Sequence, residues 1–144
     1  MRIVLTGFRG TGKTECGRLL AKLTGLPFFD TDTLIEQESG HTIHEIFTEL
    51  GEEAFRERER RVIANLPSSP CVVSTGGGSV MDPQNVAFLR RGSTLFLLEA
   101  DEQTIEKRIS HSTRPVLTSL PLRQEKLRRP YKNNPERFPN RRWR

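Results

Sequence analysis

The sequence predicts an α/β fold in which an open parallel sheet is covered by helices on both faces. Short apolar segments alternate with helical patterns along the chain, which is typical of parallel strands joined by helices. The segments are apolar throughout rather than at every second residue, as in strands buried on both faces. A glycine-rich stretch after the first strand adds a turn at the sheet end where such folds bind ligands.

The first strand is predicted over residues 2–6 and the first helix over residues 13–24. Apolar residues recur along this helix with a 3.6-residue period and predict its buried face: Cys16, Leu19, Leu20 and Leu23. Gly25 follows where a helix-terminating glycine belongs. The second strand covers residues 27–29, and a long helical region covers residues 42–66 with a break at Gly51.

Two further strands are predicted, over residues 71–75 and 94–98. Between them, Asp82 caps a helix that Pro83 opens and that ends near Arg91. After the last strand, Asp101 caps a helix that runs to Ile109.

Residues 7–14 read G-F-R-G-T-G-K-T, which fits the phosphate-binding pattern G-x-x-x-x-G-K-[ST] between a strand and a helix. The glycines let backbone N–H groups turn toward phosphate oxygens, and the helix adds its positive N-terminal end. Lys13 is expected to reach the β- and γ-phosphates and Thr14 to hold Mg²⁺. We expect the loop to bind ATP through Gly10, Thr11, Gly12, Lys13, Thr14 and Glu15.

Two carboxylates follow the second strand. Asp30 and Asp32 are two residues apart, so strand alternation would point them in similar directions, one toward the metal and one toward an acceptor hydroxyl. The alternative is that Asp32 only caps a helix that begins near Thr33.

The third predicted strand ends in Gly76, Gly77 and Gly78. This run is either a plain turn or a place where the backbone comes very close to a small ligand. The charged residues from Arg56 to Arg61 favour a solvated helix face, although one arginine there could grip a carboxylate. Residues 110–121 have the length and polarity of a lid, on which Arg114 either closes onto the transferring phosphate or is a surface arginine.

Composition limits the function classes. The 144 residues suit one domain, contain no membrane-spanning run and begin without a signal peptide, so we expect a cytoplasmic protein. Cys16 and Cys71 are predicted to be reduced core thiols.

The positive charge is concentrated at one end of the chain. Nine of the 23 Lys/Arg and two of the 18 Asp/Glu lie in residues 121–144, so that segment carries a net charge of +7 and the rest of the chain −2. With all excess charge in the tail, the sequence gives little support for nucleic-acid binding.

Together these motifs resemble the shikimate kinase family of P-loop kinases over residues 1–120. The matching segments are G-F-R-G-T-G-K-T, F-D-T-D, G-E-E-A-F-R-E-R-E, S-T-G-G-G-S-V and T-R-P-V-L. The resemblance implies a P-loop kinase fold and transfer of the γ-phosphoryl of ATP to the 3-hydroxyl of shikimate.

The resemblance also implies residue roles. Asp32 would orient or deprotonate the attacking hydroxyl, and Arg56, Gly77 and Gly78 would bind shikimate. Asp30 would lie near Mg²⁺, mostly through water. Lys13 and the lid residue Arg114 would act on the phosphoryl group, and Arg108 would stack on adenine.

The tail departs from the family pattern. Residues 121–144 are basic, contain several prolines and show no readable fifth strand, so we expect a partly helical or disordered segment. Strand 94–98 would then form a sheet edge through which an otherwise monomeric protein could self-associate. Arg129 or Arg137 could replace the family's C-terminal substrate arginine.

Two other functions stay open on the sequence. One is an impaired or non-catalytic, shikimate-kinase-like module, which the altered tail favours. The other is a P-loop kinase for another small polyol or sugar acid such as gluconate, which the Asp30–Asp32 pair and the triple glycine disfavour.

Overall fold

The computed structural model describes residues 1–110 as a parallel sheet with its connecting helices. The elements in chain order are β1 Arg2–Gly7, α1 Lys13–Thr24, β2 Phe28–Asp30, α2 Thr31–Ser39, α3 Ile43–Glu45, a π-helical turn Ile46–Leu50, α4 Gly51–Ala64, β3 Val72–Ser74, a 3₁₀ turn Ser79–Met81, α5 Pro83–Arg90, β4 Ser93–Leu98 and α6 Glu102–Ile109. The predicted lid residue Arg114 and the tail 121–144 lie outside the described residues.

The strand order is β2-β3-β1-β4, and every pairing is parallel. Ile3 of β1 is paired with Val72 of β3 on one side and with Thr94 of β4 on the other. The chain therefore moves from β1 outward to β2, and from β3 across β1 to β4. This reversal lies between β1 and β3, which is where open α/β sheets bind ligands.

Helices cover both faces of the sheet, as predicted. Phe29 of β2 packs into the main core with Val73 of β3 and with Val86 and Leu89 of α5. The neighbouring residue Phe28 points to the opposite face, where its ring lies against Gly17 of α1. A second cluster of Ile35, Ile43, Ile46, Phe55 and Val62 joins α2, α3 and α4 beside the sheet.

The predicted buried face of α1 is wrong. Cys16 is exposed, and Leu19 and Leu23 are 58% and 75% exposed, whereas Gly17 and Ala21 are buried. A Cβ on Gly17 would lie 2.5 Å from the Phe28 ring, so α1 lies so close to the sheet that only a small residue fits. Close backbone approach, rather than apolar periodicity, sets the orientation of this helix.

Of the two cysteines, only Cys71 is the buried thiol that the sequence predicts. Burial raises the pKa of Cys71, which favours the protonated thiol. Strand β4 lies at the edge of the sheet formed by residues 1–110, and its Phe96 is 50% exposed. Within the same residues, the helices are too short or too polar to cross a membrane.

Most of the predicted element boundaries hold. Gly25 and Gly92 adopt left-handed φ angles of 70° and 60° next to the ends of their helices, and Gly51 with φ of 83° marks the break within residues 42–66. Asp82 and Asp101 accept hydrogen bonds from the backbone N–H groups of Gln84 and Thr104.

We predict that Asp82→Ala lowers the free energy of unfolding by about 1 kcal/mol, because α5 loses its N-cap. Burial acts to raise the pKa of Asp82, but the hydrogen bond from Gln84 and the contact with Arg60 leave it below the usual value. The charge of Asp82 therefore stabilises the fold above the unfolded-state pKa, and this contribution is lost as the pH falls through the lowered folded-state pKa.

Chemical denaturation from pH 7 to pH 2 measures this effect, and Asp82→Asn is the matched control. Asparagine keeps the capping acceptor without the charge. The difference between wild type and Asp82→Asn should vanish at the acid end, while the difference between Asn and Ala should persist. A wild-type advantage over Asn that grows on acidification would contradict the assignment.

Candidate active site

The loop between β1 and α1 is shaped by glycines that no other residue can replace without strain. Gly10 and Gly12 have φ angles of 81° and 89°. A Cβ on Gly7 would clash with the carbonyl oxygen of Leu98. The loop therefore turns into α1 while touching the end of β4.

Lys13 and Thr14 open α1 at the mouth of this loop. The Lys13 side chain is 8% exposed, and its Nζ donates to the carbonyl oxygens of Gly7 and Phe8, both at 2.9 Å. The first helical hydrogen bond runs from the N–H of Cys16 to Gly12, so the N–H groups of residues 13–15 precede the α1 ladder. Together with the ammonium group, these N–H groups suit an anion such as a polyphosphate.

Asp30 links this loop to α2. Its Oδ2 accepts a hydrogen bond from Thr14 Oγ1 at 2.8 Å, and its Oδ1 accepts from the N–H groups of Asp32 and Thr33. Asp30 is thus the N-cap of α2, which excludes the alternative that Asp32 caps this helix. Asp30 and Asp32 do not alternate along a strand either, because β2 ends at Asp30 and Asp32 already lies in the first turn of α2.

The two carboxylates point to different neighbours. Asp30 faces the hydroxyl of Thr14, whereas Oδ1 of Asp32 lies 3.0 Å from where a Cβ on Gly76 would be. The first turn of α2 therefore directs the two carboxylates to different neighbours, whereas the sequence predicted that strand geometry would point them in similar directions. One carboxylate lies on the phosphate side and the other on the glycine side.

The glycines after β3 bring three segments together. A Cβ on Gly76 would lie 3.0 Å from Asp32 and 3.1 Å from Glu59. A Cβ on Gly77 would lie 3.0 Å from the backbone nitrogen of Arg9, in the loop before α1. A side chain at Gly76 or Gly77 would therefore require its neighbours in α2, α4 or the phosphate loop to shift by a few tenths of an ångström.

Gly78 meets the guanidinium of Arg56, with a Cβ position 2.8 Å from Nη2. Arg56, in the charged run on α4, turns to the glycine segment, as does Glu59. Its Nη1 is ion-paired with Glu59 Oε2 at 2.9 Å, and Glu59 Oε1 accepts a 2.6 Å hydrogen bond from Ser79 Oγ. Glu59 is 1% exposed, so the arginine is held by a buried anchor.

Sequence reasoning missed Glu59. The signal was available, because Phe55, Glu59 and Val62 follow helical spacing and place position 59 on the apolar face of α4. A carboxylate on a buried face needs a partner. Arg56, one turn earlier, was the cation within reach.

Other predicted residues take different places. Arg108 of α6 donates to the carbonyl oxygen of Gly10 at 2.9 Å, which puts it beside the phosphate loop. Glu15 is exposed and ion-paired with Arg18 at 3.2 Å. Thr11 is buried and donates to the carbonyl oxygen of Phe8 at 2.8 Å.

The donor atoms suit Mg²⁺ held jointly with phosphate oxygens. Thr14 Oγ1 and Asp30 supply a hydroxyl and a carboxylate side by side. Mg²⁺ in phosphoryl-transfer sites commonly takes one or two carboxylates plus substrate phosphates rather than an all-protein cage. Consistent with this, residues 1–110 contain no group of three or more His, Cys, Asp or Glu side chains that could hold a metal.

Comparison with known proteins identifies relatives of this chain. The family model for shikimate kinase matches residues 9–139, beyond the range in which the motifs were recognised. The chain is 46% identical over 117 residues to shikimate kinase of Caldicellulosiruptor saccharolyticus, covering 80% of this chain and 68% of that protein. For shikimate kinase of Caulobacter vibrioides the identity is 44%, over 80% of this chain and 58% of the relative. The chain thus spans about three fifths to two thirds of these relatives' length.

Solved structures give the same family. Shikimate kinase from Acinetobacter baumannii in complex with shikimate matches with a TM-score of 0.82 and 34% identity, covering 96% of this chain and 78% of that one. The structure from Bacteroides thetaiotaomicron matches with a TM-score of 0.72 and 35% identity, over 83% and 70% of the two chains. The predicted P-loop kinase fold is confirmed.

We predict that Gly78→Ala weakens binding of a small carboxylic acid such as shikimate by about tenfold, because the new methyl group displaces the Arg56 guanidinium. ATP affinity should stay within about twofold, since Gly78 faces α4 and not the phosphate loop. Isothermal titration calorimetry with each ligand measures both.

A double-mutant cycle provides the control. If Gly78→Ala acts through the arginine, it should add little to Arg56→Ala. Full additivity of the two losses would show that Gly78 acts independently of Arg56.

Proposed function

This chain belongs to the shikimate kinase family, and we propose that it transfers the γ-phosphoryl group of ATP to the 3-hydroxyl of shikimate. The observation that carries the proposal is the meeting of three segments at Gly76–Gly78. The phosphate loop lies at Gly77, Asp32 at Gly76 and Arg56 at Gly78. A phosphate donor and a carboxylate-bearing acceptor would therefore be held on opposite sides of one glycine segment.

On the donor side, the N–H groups at the start of α1 and Lys13 would bind the β- and γ-phosphates. Arg108, already at the Gly10 carbonyl, would move from it to the nucleotide. Mg²⁺, when bound, neutralises charge on the phosphates and fixes their orientation. Thr14 would hold the metal directly and Asp30 mostly through water, which agrees with the hydrogen bond between them.

On the acceptor side, Arg56 would pair with the shikimate carboxylate. Glu59 holds Nη1, and the exposed carboxylate of Glu52 lies 3.3 Å from Nη2, so the shikimate carboxylate would take the place of Glu52. Asp32 would accept the proton of the 3-hydroxyl as the oxygen attacks phosphorus. The bond from phosphorus to the β,γ-bridging oxygen breaks at the same time, and its electron pair leaves on ADP.

Two further roles would fall to residues outside the described range. Arg114 would close over the transferring phosphoryl group, and Arg129 or Arg137 would add a second contact to the shikimate carboxylate. A monomer in the cytoplasm, where ATP is available, suits this activity. If copies associate, the edge strand β4 with its exposed Phe96 is the expected contact.

Product analysis tests the proposed reaction against the other kinase reading. Purified chain is incubated with MgATP and either shikimate or gluconate, and the products are identified by phosphorus NMR. A phosphomonoester coupled to the proton at C3 of shikimate, with none from gluconate, is expected. Phosphorylation of gluconate at a comparable rate would refute the substrate assignment.

We predict that Lys13→Ala and Asp32→Ala each lower kcat by about 10²-fold or more, because each removes a group that acts on the reacting atoms. Steady-state ADP formation measures this, with circular dichroism to show that the variants are folded.

Lys22→Ala, also on α1 but exposed, is the matched control for Lys13→Ala and should keep wild-type kcat. Asp32→Asn keeps the shape of the side chain but removes the carboxylate charge, and we expect its kcat to be as low as that of Asp32→Ala. Near-normal kcat in a folded Lys13→Ala or Asp32→Ala variant would show that the mechanism is wrong.

A further inference from the structure

We propose that Arg9 is a catalytic residue whose guanidinium binds the phosphoryl group on its acceptor side, during transfer and in the phosphorylated product. This inference rests on the proposed kinase function and adds a residue that the reading of the motifs left unassigned. Position 9 is a variable position of the phosphate-loop pattern, so the motif itself says nothing about it.

Arg9 lies where the phosphate loop meets the glycine segment after β3. The backbone nitrogen of Arg9 lies 3.0 Å, and its Cα 3.6 Å, from where a Cβ on Gly77 would be. Gly77 lies between Gly76, which contacts Asp32, and Gly78, which contacts Arg56. Residue 9 is therefore the point at which the donor loop touches the acceptor segment, and its half-buried side chain begins at this contact.

The backbone on both sides of Arg9 is held in place. The carbonyl oxygen of the preceding residue, Phe8, accepts hydrogen bonds from Thr11 Oγ1 at 2.8 Å and from Lys13 Nζ at 2.9 Å. The following residue, Gly10, is fixed in a left-handed conformation with φ of 81°. The backbone that carries Arg9 is therefore held from both sides, so its side chain starts from a fixed point beside Gly77.

Carboxylates surround the other arginine of the site, Arg56. The charge of Arg56 is offset by the carboxylates of Glu59 at 2.9 Å and Glu52 at 3.3 Å. Asp32 adds a third carboxylate near Gly76, so these four side chains together carry more negative than positive charge. The product would add a phosphate of about −1.5 to −2 to the carboxylate already present. Arg9 is the cation on the donor loop that stands at this boundary.

The test compares Arg9→Met, which keeps an unbranched aliphatic stem without the charge, with wild type. We expect kcat to fall about 10- to 100-fold, and the affinity for shikimate 3-phosphate to fall by a similar factor, as for one charge-assisted contact. Affinity for ADP should be unchanged, because Arg9 is assigned to the transferred group alone. Product binding should also become less sensitive to salt.

Controls separate charge from fold. Arg9→Lys keeps the positive charge and should recover part of the product affinity. Arg61→Met removes an exposed arginine that is ion-paired with Glu38 on the far end of α4, and it should leave product affinity unchanged. If Arg9→Met does not fold, Arg9→Gln is measured in the same way.

Unchanged kcat and product affinity in a folded variant would overturn the proposal. So would an equal loss of ADP affinity, since that would place Arg9 on the donor phosphates. Calorimetry with shikimate 3-phosphate does not depend on turnover. If the proposed kinase function is wrong, the wild-type chain forms no product. If only the role of Arg9 is wrong, the wild-type chain is active and the variant behaves like it, so the two outcomes are distinguishable.

Discussion

The whole site depends on the close approach of backbone at Gly76–Gly78. Three segments from different parts of the chain approach these glycines so closely that an added Cβ atom would be crowded at each one: the phosphate loop, the first turn of α2 and Arg56 of α4. Because β3 lies next to β1 in the sheet, the glycines emerge beside the phosphate loop. A topology that separated β1 from β3 would separate phosphate donor from acceptor.

The two sides of the site are held by different forces. Backbone conformation holds the donor side, where Gly10 and Gly12 are left-handed and Gly7 touches the carbonyl of Leu98. A buried ion pair holds the acceptor side, where Glu59 fixes Arg56 and is itself fixed by Ser79. Breaking a buried pair leaves an uncompensated charge, so the acceptor side is the more sensitive to single substitutions.

Sequence patterns predicted the parts of the fold that depend on local chemistry. The capping residues Asp82 and Asp101 and the break at Gly51 depend on their immediate neighbours, so they could be read directly. The orientation of α1 could not, because the contact of Gly17 with Phe28 depends on how helix and sheet pack. Apolar periodicity favoured the face that is exposed.

In the site, motif residues were placed correctly at the loop, whereas their partners were not foreseen. Asp30 rather than Asp32 caps α2, since the helix begins one residue after the strand ends. The most direct test of the account is ADP release from MgATP by the full-length chain, measured with and without shikimate. The account predicts release that depends on shikimate. A folded chain that binds both ligands and releases ADP at the same rate with or without shikimate would contradict it.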